Sequence, residues 1–91
     1  MIRVHPGEIL AEELEARNMS ANALALKMRV PANRLTEIIK GRRAVSPETA
    51  LRLGRCLGTG PDLWLTLQAK YDLQEAQKAL GAAIEREVEQ V

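Results

Sequence analysis

Between residues 27 and 43 the chain carries Lys27, Arg29, Arg34, Lys40, Arg42 and Arg43, with Glu37 as the one acid among them. Residues 20–43 hold a net charge of +5, against −2 for 1–19, +1 for 44–60 and −3 for 61–91. The whole-chain value of +1 hides this division. A basic block between acidic ones is either a set of solvated helix faces or a surface for a polyanion. Interleaved with the cations are short residues that suit base edges. Asn33 can pair bidentately with adenine, Ala32 or Thr36 can touch a thymine methyl, and Glu37 can accept from cytosine N4 or orient a neighbouring Arg. Other chemistries lack their residues. His5 and Cys56 are the sole His and Cys. No nucleophile–base pair or metal set can be assembled, so no catalytic residue, metal or cofactor is expected. His5 reads as a cap for the first helix. Cys56 reads as a small packed thiol, with a redox switch as the sharper alternative.

The elements that must hold these residues are helices. Pro6, Pro31, Pro47 and Pro61 each precede a run with helical spacing, and proline suits a first helical turn because its missing N–H had no partner there. Gly41 and Gly58 follow such runs as stops. Five helices result. Helix 1 spans about 6–17, with Ile9, Leu10 and Leu14 on one face. Helix 2 spans about 21–28, capped by Ser20. Helix 3 spans about 31–40, with Leu35, Ile38 and Ile39 apolar. Helix 4 spans about 47–57, capped by Ser46, with Ala50, Leu51, Leu53 and Leu57 apolar and with Arg52 and Arg55 outside. Helix 5 starts near Pro61, where Thr59 or Gly60 can cap it. Its pattern runs on through Leu80, Ile84 and Val88, and Gly81 marks a place for a break or a sixth helix. No period-two β-branched run occurs, so the class is all-α. Ile2-Arg3-Val4 reads as extended or frayed.

Only Arg29 and Val30 separate helices 2 and 3. So tight a turn between short helices forces a large crossing angle, the helix-turn-helix geometry. Val30 plugs the corner, and Ala25 permits the close approach. In such a motif the second helix enters the major groove with its N-terminal residues on base edges. Its outer face carries Ala32, Asn33, Thr36, Glu37 and Lys40. Arg34, Lys40, Arg42 and Arg43 are placed for phosphates, and the start of helix 2, with Ser20 and Asn22, offers backbone N–H groups to another. Two helices of an ordinary bundle would share the spacing; the coincident basic block favours DNA.

Trp64 and Tyr71 are the only aromatics. With Leu67, Leu73, Ala76 and Leu80 they form a candidate face that either closes the core or makes a dimer contact. Trp64 is expected mainly in the core, and the stripe from Tyr71 to Leu80 in the contact. A dimer would reach two half-sites about 34–36 Å apart. The acidic tail, with Glu85, Glu87 and Glu89, is either solvated or a site for a basic partner.

At 91 residues the chain has room for one small domain, which buries only about 60–65% of its unfolded surface. The expected organisation is a helix-turn-helix core over about 5–67, with the motif at 20–40, and a dimerisation or partner segment over about 61–91. No apolar run nears the roughly 18–20 residues of a membrane span. The single cysteine and the lack of a secretory signal suggest a cytoplasmic protein.

Together these residues resemble a known family. His5-Pro6-Gly7-Glu8-Ile9-Leu10, Asn22-Ala23-Leu24-Ala25, Val30-Pro31-Ala32-Asn33-Arg34-Leu35 and Glu37-Ile38-Ile39-Lys40-Gly41-Arg42-Arg43 resemble HigA-type antitoxins. So do Thr49-Ala50-Leu51-Arg52-Leu53, Gly58-Thr59, Trp64-Leu65-Thr66-Leu67-Gln68 and Tyr71-Asp72-Leu73. The resemblance covers about residues 5–73 in order and spacing. It implies a five-helix, lambda-repressor-like fold of the xenobiotic-response type with an extended C-terminal helical segment. It implies a homodimeric antitoxin that binds and silences a HigB-like toxin, an mRNA-cleaving ribonuclease of the RelE type. It further implies repression of the antitoxin's own promoter through a palindromic double-stranded DNA operator. The family's DNA-contacting positions fall on Ser20, Asn22, Ala32, Asn33, Arg34, Thr36, Glu37, Lys40 and Arg42. Arg29 stands where the turn often has Gly, and Ala21 replaces a longer polar residue, so the operator sequence does not carry over. A solitary repressor without a toxin and a protein-only helical adaptor are the other readings. A neighbouring gene for a small basic protein would separate antitoxin from solitary repressor.

Overall fold

The computed structural model describes residues 4–91; the expectation for residues 2 and 3 lies outside that range. Among the described residues all regular structure is helical: α1 (Pro6–Ala16), α2 (Ala21–Met28), α3 (Ala32–Ile39), α4 (Pro47–Leu57) and α5 (Asp62–Glu87). None of these helices is long and apolar enough to cross a membrane.

Local chemistry sets most boundaries. His5 Nδ1 accepts from the Gly7 N–H at 2.9 Å, and the Glu8 carboxylate accepts from the His5 N–H at 3.1 Å. This reciprocal cap satisfies two N–H groups that α1 would otherwise leave bare. Ser20 Oγ accepts from Ala23 N–H at 3.1 Å, and Ser46 Oγ from Thr49 N–H at 3.2 Å. Gly58, at φ +76°, ends α4 in the left-handed region. Two starts differ from expectation. Pro31 is extended (φ −61°, ψ 142°) and precedes α3 rather than joining it. Pro61 precedes α5, which has no side-chain cap, because the Thr59 hydroxyl instead accepts from Trp64 Nε1–H at 2.9 Å.

α5 does not break at Gly81; it runs unbroken to Glu87. Ala79, Leu80, Ala82 and Ala83 are strong helix formers, and a glycine costs only about 1 kcal/mol against them. The Gln77 side chain also packs over Gly81 and shields its backbone. At about 1.5 Å per residue, this 26-residue helix accounts for most of the 49 Å long axis.

The core is aliphatic around one aromatic. Leu10, Leu14, Leu24, Ala25, Met28, Leu35, Ile38, Val45, Ala50, Leu53 and Trp64 are buried, with Val30 packed against them from the turn. α2 packs on α3 and α4, α1 on α3 and α5, and α4 on α5. Leu51, one of the apolar residues of α4, is nonetheless 62% exposed. The inner stripe runs through Thr49, Ala50, Leu53 and Gly54, and Leu51 lies outside it. Gly54 belongs to that stripe because the Gly60–Pro61 backbone lies where a Cβ would stand. Gly7 is equally constrained: a Cβ there would collide with the Ile38 carbonyl, so α1 seats directly on the end of α3.

Candidate nucleic-acid interface

The α2–α3 turn is left-handed at Arg29, the position where the turn often has Gly. Arg29 adopts φ +61°, ψ 44°, and the Val30 N–H donates to the Ala25 carbonyl at 3.1 Å. A left-handed conformation is uncommon for a residue with a Cβ and is held here by the packing of Val30 and Ala25. The turn fixes α3 against α2 with Leu35 and Ile38 inward.

The opposite face of α3 is polar. Asn33 and Lys40 are exposed; Ala32, Arg34, Thr36 and Glu37 are half-buried at its edges. Ser20 and Asn22 are exposed at the start of α2. Gly41, at φ +74°, ends α3, and the Arg42 N–H donates to the Glu37 carbonyl at 2.8 Å. The chain thereby folds back, and Arg42 and Arg43 stand exposed beside α3.

Several polar side chains are already engaged. Thr36 Oγ1 donates to the Asn33 carbonyl at 3.2 Å. Glu37 Oε1 accepts from Arg43 Nε at 3.2 Å and Nη2 at 2.7 Å. Of the two roles open to Glu37, the free protein shows the one that orients an arginine. Arg34 turns toward α4, with Nη1 3.4 Å from Glu48 Oε1. Lys40 and Arg42 have no carboxylate partner among the described residues.

Two contacts that position this surface escaped the sequence reading. Gln68 is buried; its Oε1 accepts from Val45 N–H at 2.8 Å and its Nε2 donates to Asp72 Oδ1 at 2.9 Å. It pins the loop after α3 to α5. Its spacing of four from Trp64 put it on the inward face, and a polar residue there was the available signal. Arg52, expected outside, reaches the end of α2 instead, where Nη1 donates to the Met28 carbonyl at 2.9 Å. A cation on those terminal carbonyls is favourable.

The face on α5 divides. Trp64 is 0% exposed and belongs wholly to the core of this chain, so it is removed from the expected dimer contact. Tyr71 is half-buried, and its ring lies edge-on to His5 at 4.8 Å between centroids. Leu67 is half-buried, whereas Leu73, Ala76 and Leu80 are exposed, Leu73 by 68% and Leu80 by 52%. Cys56 is a free, half-buried thiol. No three His, Cys, Asp or Glu side chains among the described residues are grouped to hold a metal.

Residues 10–64 match the helix-turn-helix family. An addiction module antidote protein of a HigA family from Coxiella burnetii superposes with a TM-score of 0.95 at 49% identity, over 100% of both chains. The antitoxin HigA of Pseudomonas aeruginosa, in a structure with the higBA promoter, superposes with a TM-score of 0.95 at 38% identity, over 99% of both chains. Virulence-associated protein I of Dichelobacter nodosus is 43% identical over 79 residues, 86% of this chain and 73% of its own. The first two of these relatives are an addiction module antidote protein and an antitoxin. With the five-helix fold, the exposed polar face of α3 and end-to-end likeness to two such proteins, the chain belongs to the HigA family of helix-turn-helix, DNA-binding antitoxins.

Proposed function

We propose that this protein is the antitoxin of a HigBA-type module, acting in the cytoplasm as a homodimer that represses its own promoter and neutralises a RelE-like mRNA-cleaving toxin. The observation that carries the DNA reading is the pairing of the polar face of α3 with the basic loop that Gly41 folds beside it. Ala32, Asn33 and Thr36 read base edges. Lys40, Arg42 and Arg43 neutralise phosphates, and Ser20 and Asn22 anchor one more at the start of α2. Glu37 aims Arg43. Arg34 reaches a phosphate by leaving Glu48. The related P. aeruginosa antitoxin, whose structure includes the higBA promoter, supports the same use of the fold.

Residues 61–91 serve the second copy. Leu67, Tyr71, Leu73, Ala76 and Leu80 form the core of that contact, and the exposed Ile84 extends the stripe along α5. A palindromic operator follows, since a two-fold dimer presents two copies of α3 to successive major grooves. Neutralising the toxin needs only protein surface and not the DNA contacts of α3, so repression and neutralisation should be separable.

Fluorescence anisotropy with DNA from upstream of the gene, against scrambled DNA at several salt concentrations, tests the first half. Specific binding about a thousandfold above scrambled, with a steep salt slope, is expected. Equal, weak binding to both would count against it. Co-expression with the neighbouring small basic protein tests the second half: a stable complex and rescued growth are expected of an antitoxin. If operator binding stands and no such partner exists, the protein is a solitary repressor.

A further inference from the structure

A second cationic surface lies apart from the recognition helix. The end of α2, the turn after it and the C-terminal half of α4 surround an open cavity of about 410 Å³ lined by Lys27, Met28, Arg29, Arg52, Arg55 and Cys56. No residue of α3 lines it. Lys27, Arg29 and Arg55 are exposed and have no carboxylate partner among the described residues. Arg52 is the engaged member: its Nε lies 3.2 Å from Glu48 Oε2 while Nη1 donates to the Met28 carbonyl.

Four cations around one concavity, offset only by Glu48, repel one another and raise the local potential for an anion. The volume lies within the roughly 300–1,000 Å³ of small-molecule sites. Guanidinium forks match phosphate oxygens bidentately and make the stronger, charge-assisted bonds. Met28, buried, and Cys56, half-buried, give the cavity an apolar side.

The cavity is also wired to α3. Glu48 accepts from Arg52 through Oε2 and lies 3.4 Å from Arg34 of the recognition helix through Oε1. We propose that this cavity binds a small polyphosphate anion and that occupancy lowers operator affinity through Arg52, Glu48 and Arg34. Drawn to the ligand, Arg52 leaves Glu48. The carboxylate then holds Arg34 alone and keeps it from the DNA backbone. Ligand binding is independent of the DNA-binding function proposed above; the effect on operator affinity rests on it.

The test follows backbone amide shifts of the full chain by NMR during titration with tripolyphosphate and, separately, ATP, at fixed ionic strength near 0.15 M. Saturable shifts at residues 27–30 and 52–57 are expected, and the stronger of the two titrants tells a bare polyphosphate from a nucleotide. Arg55→Ala and Arg29→Gly should each weaken binding about tenfold. Arg42→Ala should leave it unchanged. Shifts confined to residues 32–43, loss of binding in Arg42→Ala, or no saturation by either anion overturns the site. Operator anisotropy then reads the relay. The ligand should weaken wild-type operator binding several-fold and do so less in Glu48→Gln. A ligand that saturates the cavity without changing operator affinity overturns the relay. Failure of the unliganded protein to prefer operator DNA is instead a failure of the DNA reading.

Discussion

Replacing Arg29 by glycine should stabilise the protein, although it removes a large side chain at the centre of the helix-turn-helix. Arg29 sits at φ +61°, ψ 44°. For an L-residue the left-handed conformation costs roughly 1–2 kcal/mol, and glycine escapes that cost. Glycine also makes the unfolded chain freer, which returns about 0.5–1 kcal/mol. The Arg29 side chain has no hydrogen bond or ion pair to lose, and the bond from its backbone N–H to the Ala25 carbonyl needs no side chain. Its departure also relieves repulsion from Lys27, Arg52 and Arg55 around the same cavity. The net gain is about 0.5–1 kcal/mol, or a rise of roughly 2–8 °C in Tm for a domain of this size. Urea denaturation and calorimetry at fixed protein concentration measure it, because the proposed dimerisation would make stability depend on concentration. Arg29→Ala is the control. Alanine keeps the backbone penalty, so it should fall about 1 kcal/mol below the glycine variant. Equal stability of the Gly and Ala variants would refute the argument from backbone strain.

Three further outcomes follow from the same geometry. Arg42→Ala should weaken binding similarly for all DNA sequences and flatten the salt slope by about one unit, whereas Asn33→Ala should relax preference at one base pair; both mutants binding operator like wild type at several salts would misplace α3. Gln68→Leu leaves the buried Val45 N–H without its acceptor and should cost about 1–3 kcal/mol in urea denaturation; an unchanged midpoint would show that the loop after α3 is held by something else. Leu80→Glu puts a charge on the exposed stripe of α5 and should shift the protein to monomer by analytical ultracentrifugation while leaving the fold intact; an unchanged dimer would place the contact elsewhere.

Local signals in the chain were enough to place the five helices, though not to settle that α5 continues past Gly81. Ser20, Ser46, His5 and Gly58 act within a few residues of themselves, so caps and stops could be placed without knowing what packs where. The basic loop after α3 and the outer face of that helix were legible for the same reason: a 3.6-residue period with Leu35 and Ile38 inward fixes what points outward. Arg29 is a sharper case. The resemblance marked it as a position where the turn often has Gly, and the structure shows why: its backbone is left-handed.

What the sequence alone determined is the class, the five helices, the helix-turn-helix and the family. All rest on short-range periodicity and on motifs read in order. Tertiary structure alone decided which polar groups meet across the chain. Gln68 and Val45 are 23 residues apart, Arg52 and Met28 are 24, and Arg34 and Glu48 are 14. It also decided that Thr59 serves the indole rather than a helix cap. The physical reason is range. A cap or a period is written in adjacent residues, whereas burial and long-range hydrogen bonds depend on how one helix lies on another.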